Sequence, residues 1–391
     1  MRDVVFVDGV RTPFGKAGKL FEDTRADDLI IRAIRTLLRR NPGLPPERVD
    51  EVALAATTQI GDQGLTLGRT AALLSGLPRS VPGYSIDRMC AGAMTAVTNV
   101  ASAIASRQYD IAIAGGVESM SNHPMGEGVD PNPRIIAERL VDPDALQMGV
   151  TAENLHDLYP QLTKERADAY AVQTQARYAA AVDKLAADIT TMAARSDEGW
   201  TVATGDELPR PSTSMEGLAN LRTPFRPHGR VTAGTSSPNT DGATACIIAD
   251  AETAAELDLP VAMKMVGFAF AGVDPETMGV GPIPATEKAL ARAGLTIDDI
   301  GLFEINEAFA VQVLAFLDHF KIADDDPRVN PWGGAIAMGH PLASSGVRLM
   351  TQLAREFAEH PEVRYGVTTM CVGLGQGGTV IWENPNFKGA N

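Results

Sequence analysis

The sequence predicts an α/β protein, because apolar segments of strand length alternate with amphipathic segments of helix length along the chain. With 391 residues, the chain is long enough to form two or three packed units. Hydrophobic residues make up 45% of the chain and aromatic residues only 5%, and no apolar run approaches the roughly 20 residues that span a bilayer. We therefore expect large α/β cores and no membrane segment.

The first part of the chain shows this alternation clearly. The run VVFVDGV predicts a strand, residues 26–40 predict an amphipathic helix, and EVALAAT predicts a second strand. After Cys90, the segment AGAMTAVTNVASAIASR predicts a helix, and YDIAIAGG predicts a buried strand that ends at its two glycines. We expect residues 1–118 to form an N-terminal α/β half, completed by residues from about 240 to 265.

The same order of elements recurs near the C-terminus. GHPLASSGVRLMTQLAREFAEH predicts a loop and a helix, and VRYGVTTMCVGLGQGG predicts a strand that ends in glycines. Residues 44–57 and 295–309 also echo each other, since each combines an acidic turn with an apolar strand. We interpret this as an internal duplication, with residues 266–391 as the C-terminal half. A pseudo-two-fold arrangement of the halves would bring Cys90 and His340 together.

Residues 119–250 differ in composition from both halves. They contain the Met, Pro and Gly of SMSNHPMGEGVDPNP, an amphipathic helix over KERADAYAVQTQARYAAAVDKL, and the Pro-rich DELPRPSTSMEGLANLRTPFRP. Such turns and polar loops suit a surface that covers a ligand. The pattern predicts an inserted loop domain.

The chain is acidic, with a formal net charge of −15 at pH 7 and no stretch rich in Lys or Arg. This charge opposes attraction to phosphate backbones, so nucleic acid is not an expected partner. The N-terminal MRDVVFVDGVRTP lacks the pattern of a signal peptide, and the C-terminal FKGAN lacks a peroxisomal address. Three cysteines at this length favour reduced thiols over a disulfide framework. We expect a cytoplasmic protein.

A cysteine and a histidine stand beside small residues that let backbone amides approach a reacting carbonyl closely. Cys90 in SIDRMCAGAM precedes a predicted helix, whose N-terminus lowers the pKa of a thiol. His340 in GGAIAMGHPLASSG stands at the matching place of the second half, where its imidazole could accept the Cys90 proton. A structural core cysteine and an ordinary surface or core histidine are the alternatives. The pairing favours a thiol nucleophile and its base.

Cys371 and Asn306 complete the candidate site. Cys371 ends a predicted strand and precedes VGLGQGG, and we interpret it as an acid and base for a carbon acid. A phosphate-binding loop is the alternative, but the segment lacks the Lys-Ser/Thr of a P-loop. Asn306 in EINEAFA could hold a water or donate to an oxyanion, and an ordinary helix N-cap is its alternative role.

These motifs resemble the signature blocks of the thiolase family. CAGAM after DRM, TAGTSSPNTDGA, NEAFA, GGAIAMGHPLASSG and CVGLGQGG occur in the family's order and spacing, and DGVRTPFGK, AGGVESMS, QMGVTAENL and PRPSTSMEGLANLRTPF also match. The resemblance covers essentially the whole chain. It implies duplicated α/β halves, each with a mixed five-stranded sheet, in five layers (α-β-α-β-α), with an inserted loop domain that binds coenzyme A (CoA).

The resemblance also implies the catalytic roles. Cys90 would attack the 3-keto carbon of a 3-oxoacyl-CoA, and the C2–C3 bond would break to leave an acyl-enzyme and acetyl-CoA. Cys371 would protonate the acetyl-CoA enolate and then deprotonate a second CoA, which would release a shortened acyl-CoA. His340 would activate Cys90 and, with a water held by Asn306, stabilise one oxyanion. The amides of Cys90 and Gly373 would stabilise the other.

For substrate binding, the family correspondence places one arginine near the adenine and several residues along the pantetheine and acyl chain. These residues are Arg210 at the adenine, Ser237 at the pantetheine, and Phe225, Met148, Met278 and Phe309 along the pantetheine and acyl pocket. A surface ion pair for Arg210 and plain core positions for the Met and Phe residues are the alternatives. The resemblance implies CoA as a co-substrate, with no permanently bound cofactor and no metal.

The chain departs from common thiolase residues at five positions, which are Pro238, Pro331, Trp332, Met338 and Ala343. These departures put the acyl-chain preference and affinity in doubt, while the reacting positions are intact. Acetoacetyl-CoA enzymes usually carry His before the Met of the MG(T/V)TAE block, whereas this chain has Gln147. This favours a broader 3-oxoacyl-CoA thiolase acting in fatty-acid β-oxidation.

Other functions and several partners remain open from the sequence. The alternatives within the family are a biosynthetic acetoacetyl-CoA thiolase and a thiolase for dicarboxylic or aromatic-pathway acyl-CoA. Outside it are a decarboxylating condensing enzyme, a cysteine hydrolase and a non-catalytic acyl-CoA carrier, which the second thiol and the retained reacting groups disfavour. The expected partners are acyl-CoA, CoA, a second copy in a homodimer or homotetramer, and a multifunctional hydratase/dehydrogenase subunit.

Overall fold

The computed structural model of the protein describes residues 2–196 and 199–389. The strands are β1 Val4–Arg11, β2 Gly15–Lys16, β3 Glu51–Ala55, β4 Gly83–Ile86, β5 Ile111–Glu118, β6 Met192–Ser196, β7 Gly199–Ala203, β8 Thr240–Asp250, β9 Met263–Gly272, β10 Ile300–Ile305, β11 Tyr365–Val372 and β12 Gln376–Glu383. The helices are α1 Ala26–Arg40, α2 Leu67–Ser75, α3 Gly92–Ala105, α4 Arg134–Ala137, α5 Met148–Leu158, α6 Lys164–Leu185, α7 Met215–Ala219, α8 Ala251–Glu256, α9 Pro282–Ala293, α10 Ala310–Phe320, α11 Ala335–Met338 and α12 Ser345–Glu359.

Two sheets have the same strand order. In the N-terminal sheet the order is β1-β8-β5-β3-β4, with β8 antiparallel to both its neighbours and β3 parallel to β5 and β4. In the C-terminal sheet the order is β9-β12-β11-β10, with β12 antiparallel to both its neighbours and β10 parallel to β11. The sheets join where β1 pairs with β9. The duplicated α/β fold predicted from the sequence is therefore confirmed.

The second sheet is one strand shorter than the resemblance implied. Where β4 pairs with β3, the described part of the C-terminal half, which ends at residue 389, has a single parallel bridge between Phe303 and Val329. Cys90 follows β4 and precedes α3, while His340 follows this bridge and precedes α12. The two residues thus occupy equivalent places in the two halves, as the sequence predicted.

The helices form three layers around the two sheets. On the outside of the N-terminal sheet, α1 buries its apolar face, including Ile30, Ile34 and Leu37, which recur at helical spacing. Between the sheets, α3 and α12 pack on each other through Met94, Val97, Leu349, Met350 and Leu353. On the outside of the C-terminal sheet lie α9 and α10. The order of layers is therefore α-β-α-β-α.

The two glycines of β5 have a different role from the one that the sequence suggested. We expected Gly115 and Gly116 to end the strand, but β5 continues to Glu118. A Cβ on Gly115 would clash with the Thr244 carbonyl oxygen, and one on Gly116 would clash with the Ala343 carbonyl oxygen. These glycines therefore allow backbones to approach closely, Gly115 inside the sheet and Gly116 at the turn that follows His340.

Two of the four glycines after Cys371 also lie within a strand. Cys371 belongs to β11, and Gly377 and Gly378 belong to β12, which pairs with β11. Leu374 and Gly375 between them have φ of 59° and 73°. The segment is a hairpin turn between β11 and β12, and β12 was not predicted from the sequence. A phosphate-binding loop would lead into a helix, whereas this turn leads into a strand, so that alternative is excluded.

The segment between β5 and β8 contains α4 to α7 and the hairpin of β6 and β7. Its long helix α6 packs against α10 and α11 of the C-terminal half. The domain boundaries at 118, 250 and 266 stay a prediction. Within residues 2–196 and 199–389, every helix is too short or too polar to cross a membrane.

Candidate active site

A cavity of about 420 Å³ lies where the loops before α3 and α12 meet the inserted segment. Its walls combine sulfur, aromatic and small polar side chains. The lining residues are Cys90, Met120, Met125, Gly126, Leu146, Gln147, Met148, Gly149, Phe225, Ser236, Ser237, Pro238, Asn239, Met278, Ala308, Phe309, His340, Leu342 and Cys371. The cavity therefore brings both predicted reactive cysteines and the predicted histidine into one space.

Cys90 is held at the start of α3 by an unusual backbone. It lies in a 3-10 turn from Met89 to Ala91, directly before Gly92 begins the helix. Met89 has φ of 44°, in the left-handed region that costs energy for a residue with a side chain. The Met89 amide donates to the Asp87 carboxylate at 2.6 Å, which holds this turn. The strained turn aims the thiol into the cavity instead of leaving it in a regular helix.

The thiol of Cys90 is protonated in the resting protein. Burial raises its pKa to about 12, while the backbone amides of Gly373 and Cys90 itself act in the opposite direction. The expectation that the helix N-terminus lowers this pKa is therefore wrong, because removal from water outweighs the amides. A base must take the proton before or during attack by the sulfur.

His340 is held as the neutral tautomer that such a base requires. Its Nδ1 lies 2.6 Å from Ser345 Oγ, and Ser345 Oγ donates its own proton to the Pro341 carbonyl oxygen at 3.1 Å. Nδ1 therefore carries a hydrogen, and Nε2 presents a lone pair. Burial, with a smaller contribution from the Arg348 charge, lowers the pKa of His340 to about 3. The imidazole is uncharged at neutral pH.

Asn306 lies behind His340, outside the cavity wall. It is fully buried, and its Nδ2 donates to His340 Nε2 at 3.3 Å. Its Oδ1 accepts from Arg348 Nη2 at 3.3 Å. The helix N-cap alternative is wrong, because α10 begins at Ala310 with Phe309 as its cap. Asn306 instead presents an amide hydrogen beside the imidazole.

Cys371 and Gly373 approach Cys90 from the C-terminal sheet. Burial and the neighbouring Cys90 sulfur both raise the pKa of Cys371, so this thiol is also protonated. A Cβ on Gly373 would lie 3.1 Å from Met148 Cε and would clash with Met89 Sδ. A side chain at this position would therefore push the Gly373 amide away from the Cys90 sulfur.

Four residues of the site were missed from the sequence, which are Glu118, Thr240, Ser345 and Arg348. Thr240 Oγ1 accepts from the His340 amide at 3.0 Å. Glu118 Oε2 accepts from the Ala343 amide at 3.1 Å and so joins β5 to the loop that follows His340. Ser345 was the only one with a local signal, since it stands in the first turn of the helix that His340 precedes.

Most predicted substrate-binding residues line the cavity, namely Met148, Phe225, Ser237, Met278 and Phe309. Arg210 does not. Its side chain is exposed, and its backbone amide donates to Gln175 Oε1 at 2.8 Å. The assignment of Arg210 to the adenine stays a prediction.

Four of the unusual residues divide into two groups. Pro238 and Gln147 line the cavity, where they can influence the substrate. Trp332 and Met338 instead pack in a separate apolar cluster with Phe14. We therefore expect the acyl-chain preference to depend on Pro238 and Gln147, and not on Trp332 or Met338.

The arrangement is suited to acyl transfer through a thiol. Two protonated thiols, a neutral imidazole and backbone amide donors meet in a largely apolar space, where hydrogen bonds to a developing oxyanion are strong. Among the residues that the structure describes, the lining contains neither Lys nor Arg. Nucleophile, base and a second acid are all present.

Two family models match nearly the whole chain, and they are described as "Thiolase, N-terminal domain" for residues 4–252 and "Thiolase, C-terminal domain" for residues 259–384. The 3-ketoacyl-CoA thiolase of Aliivibrio fischeri is 41% identical over 391 residues, covering 98% of this chain and 100% of that protein. The 3-oxoadipyl-CoA/3-oxo-5,6-dehydrosuberyl-CoA thiolase of Escherichia coli is 42% identical over 401 residues, covering 98% and 100%. The crystal structure of human mitochondrial 3-ketoacyl-CoA thiolase superposes with a TM-score of 0.88 at 34% identity, covering 98% of this chain and 99% of that one.

Proposed function

The chain belongs to the thiolase family, and from this premise we propose that it is a 3-oxoacyl-CoA thiolase. It is an acyltransferase that cleaves 3-oxoacyl-CoA with CoA into acetyl-CoA and a shortened acyl-CoA, and it catalyses the reverse Claisen condensation. A role in fatty-acid β-oxidation fits this activity. The observation that carries the proposal is the shared cavity of Cys90, His340 and Cys371.

The first half of the reaction transfers an acyl group to Cys90. His340 Nε2 takes the thiol proton as sulfur attacks the C3 carbonyl, which ends its long hydrogen bond from Asn306 Nδ2. The imidazolium and a water held by the freed Asn306 amide then stabilise the oxyanion. The C2–C3 bond then breaks, and its electron pair leaves on C2 of acetyl-CoA as an enolate. The protonated thiol of Cys371 gives its proton to that carbon, which is the role for which a raised pKa suits it.

The second half returns the acyl group to CoA. The Cys371 thiolate takes the proton of a CoA thiol, and the CoA sulfur attacks the Cys90 thioester. The amides of Cys90 and Gly373, which already act on the Cys90 sulfur, stabilise the oxyanion of this step. Collapse of the intermediate releases the shortened acyl-CoA and Cys90, which recovers its proton from His340.

CoA is a co-substrate in this scheme and no bound cofactor takes part. We assign Phe225, Met148, Met278 and Phe309 to the pantetheine and acyl chain, and Ser237 to a polar contact with the pantetheine. Their place on the cavity wall supports this assignment. Arg210 is assigned to the adenine, which would extend beyond the cavity to the surface where its side chain is exposed.

The test follows the loss of 3-oxoacyl-CoA by the purified protein, with and without CoA, for chains of four, eight and sixteen carbons. We expect CoA-dependent cleavage, with product acetyl-CoA. Cys90→Ala should abolish it, and Cys246→Ala is the matched control because Cys246 is buried in the core and lies outside the cavity lining. Cleavage without CoA would identify a hydrolase, and binding without turnover would identify a carrier.

The same assay separates the alternatives within the family. A 3-oxo dicarboxylic acyl-CoA has a second carboxylate, and the part of the cavity lining that the structure describes offers no Lys or Arg to pair with it. Burial of an unpaired carboxylate is costly, so we expect this substrate to react more slowly than the eight-carbon one. Activity with the four-carbon substrate alone would instead favour an acetoacetyl-CoA thiolase.

Assembly and location belong to the same proposal. We propose a homodimer or homotetramer, and association with a multifunctional hydratase/dehydrogenase subunit as a further partner. Light scattering of the purified protein alone measures its oligomeric state, and light scattering of its mixture with such a subunit measures their association. A cytoplasmic location stays a prediction from the sequence.

A further inference from the structure

Arg348 is a buried cation directly behind the candidate active site. It lies on α12, its side chain is 2% exposed, and it is absent from the cavity lining. Its Nη1 donates to Glu304 Oε2 at 3.1 Å, and its Nη2 donates to Asn306 Oδ1 at 3.3 Å. Among the described residues, its Nε has no hydrogen-bond partner. The guanidinium therefore connects a carboxylate to the amide that faces His340.

This contact decides which way the Asn306 amide points. A guanidinium only donates hydrogen bonds, so the atom of Asn306 that faces it must be the oxygen. The nitrogen then faces His340 Nε2, at 3.3 Å. In the resting protein the Nε2 lone pair of His340 favours the same orientation. Once Nε2 takes a proton this preference is lost, and Arg348 is then the contact, among the described hydrogen bonds of the Asn306 side chain, that keeps the amide in place. The reversed orientation would present an acceptor to His340 and to any oxyanion there.

A carboxylate pair balances the charge of Arg348. Glu304 lies beside Glu356, and Gln352 Nε2 donates to both, at 3.0 and 3.4 Å. Two carboxylates in one buried space cannot both ionise readily, so one proton is shared between them. Arg348 and one ionised carboxylate leave the group neutral. Such buried ion pairs often contribute little to stability, so stability alone is a weak reason for this one.

We infer that Arg348 is a positioning residue for the proposed thiolase reaction, holding the Asn306 amide so that its Nδ2 hydrogens face the imidazole and the oxyanion formed beside it. Its guanidinium acts through Asn306 and does not touch the substrate. The inference rests on the proposed function. It adds to that function a dependence of catalysis on a residue outside the cavity.

The test is a double-mutant cycle with Arg348→Lys and Asn306→Ala, assayed by CoA-dependent cleavage of the best 3-oxoacyl-CoA substrate. Lysine keeps the charge but lacks the planar fork that reaches both Glu304 and Asn306. We expect kcat to fall about 10- to 100-fold, in keeping with the loss of one oriented oxyanion donor, while KM changes less than about threefold. In the Asn306→Ala background, the same replacement should have little further effect.

Arg355→Lys is the matched control on the same helix. Arg355 pairs with Asp188 and Asp8 at 2.7 Å each and does not contact Asn306. A comparable loss of thermal stability without a loss of kcat is expected there. Equal falls of kcat in both variants, or additive effects of Arg348→Lys and Asn306→Ala, would overturn the inference.

A second variant keeps the test valid if Arg348→Lys does not fold. Arg348→Met combined with Glu304→Gln removes both charges of the buried pair, a change that proteins often tolerate. It should fold and show the same fall in kcat, whereas unchanged kcat would refute the positioning role. Wild-type protein without any CoA-dependent cleavage would refute the proposed function itself, so the two failures are distinguishable.

Discussion

Burial, more than nearby charge, sets the pKa values of the three proposed reacting residues. Cys90 and Cys371 are both raised in pKa, and His340 is lowered, chiefly because each lies away from water. All three are therefore neutral at pH 7. Neutral partners can exchange protons within the site without leaving a buried charge in the resting protein. In the proposed reaction, charge appears when the substrate binds and the amides have an oxyanion to stabilise.

We predict that alkylation of Cys90 by iodoacetamide is slow at pH 7 and accelerates with each pH unit through pH 9. The reason is that the free thiolate is rare until the pH nears the thiol pKa of about 12. The measurement is the inactivation rate of the unliganded protein between pH 5 and pH 9. A rate that is constant from pH 6 to pH 8 would show a thiolate–imidazolium pair in the resting state and would contradict this prediction.

We predict that Cys371→Ala separates the two halves of the reaction. Cys90 and His340 remain, so the variant should still accept an acyl group from acyl-CoA. Exchange of the acetyl-CoA α-protons with deuterated water should fall by at least about 100-fold, because the acid and base for C2 is missing. Mass spectrometry of the acyl-enzyme and NMR of the exchange check the two results. Exchange at the wild-type rate would remove Cys371 from its role.

Site residues that stand in a recognisable sequence motif could be predicted, whereas residues that reach the site through contacts distant in sequence could not. Cys90, His340 and Cys371 stand beside glycines and small residues whose function is visible in the chain. Glu118 was missed because its partner Ala343 is 225 positions away. The direction of the Cys90 pKa was wrong for a related reason, since burial depends on packing of the whole molecule while a helix terminus is visible locally.

At the scale of elements, amphipathic helices were predicted best. The predicted bounds of α1 and of α6 agree with the structure, because a helix buries one face at a regular spacing. Strands next to glycines were predicted least well, as β5 and β12 show. The same residue type ends a strand in one place and permits close packing inside a sheet in another, and only the neighbouring backbone distinguishes the two.

Helix α12 carries a prediction about stability and pH. Burial raises the pKa of Glu356 from 4.5 to about 8, so the folded protein keeps a proton there that the unfolded chain loses above about pH 4.5. Because the folded protein binds this extra proton, the free energy of unfolding falls as the pH rises from about 5 to about 8, by at most about 1.4 kcal/mol per pH unit. We predict that Glu356→Gln, which stays uncharged, reduces this fall.

Urea unfolding at pH 5, 6.5 and 8 measures that difference. Glu359→Gln is the control, because Glu359 lies on the same helix but its side chain is 40% exposed and pairs with Lys184 at the surface. Its pH dependence should follow the wild type. A Glu356→Gln variant with the wild-type pH dependence would contradict the prediction, because it would show that Glu356 does not hold the extra proton of the folded protein between pH 5 and pH 8.

At the scale of the whole molecule, the two halves share their central layer. The apolar faces of α3 and α12 are buried against each other and between both sheets, and a Cβ on Gly346 would lie 2.8 Å from Met94 Cβ. Each half alone would expose a helix face as apolar as a core. The duplicated pattern in the sequence predicted the two halves, but it carried no measure of how closely they pack.

We predict that residues 262–391 expressed alone do not form a cooperatively folded unit. Removal of the first half exposes Leu349, Met350 and Leu353, all fully buried in the whole chain. Circular dichroism and urea unfolding should show partial helix and no sharp transition, whereas co-expression with residues 1–261 should recover activity. A sharp two-state transition of the fragment would contradict the prediction.

The cavity lining comes from two different parts of the chain, and this has a consequence for how substrate preference can evolve. Cys90 and His340 lie just before α3 and α12, and Cys371 lies near the end of β11, whereas Met125, Leu146, Met148 and Phe225 of the cavity lining come from the segment between β5 and β8. Loop exchange among relatives should therefore alter which acyl groups are accepted while bond-making chemistry is inherited unchanged. Substrate preference can therefore change, in evolution or by protein engineering, without a change in the catalytic groups.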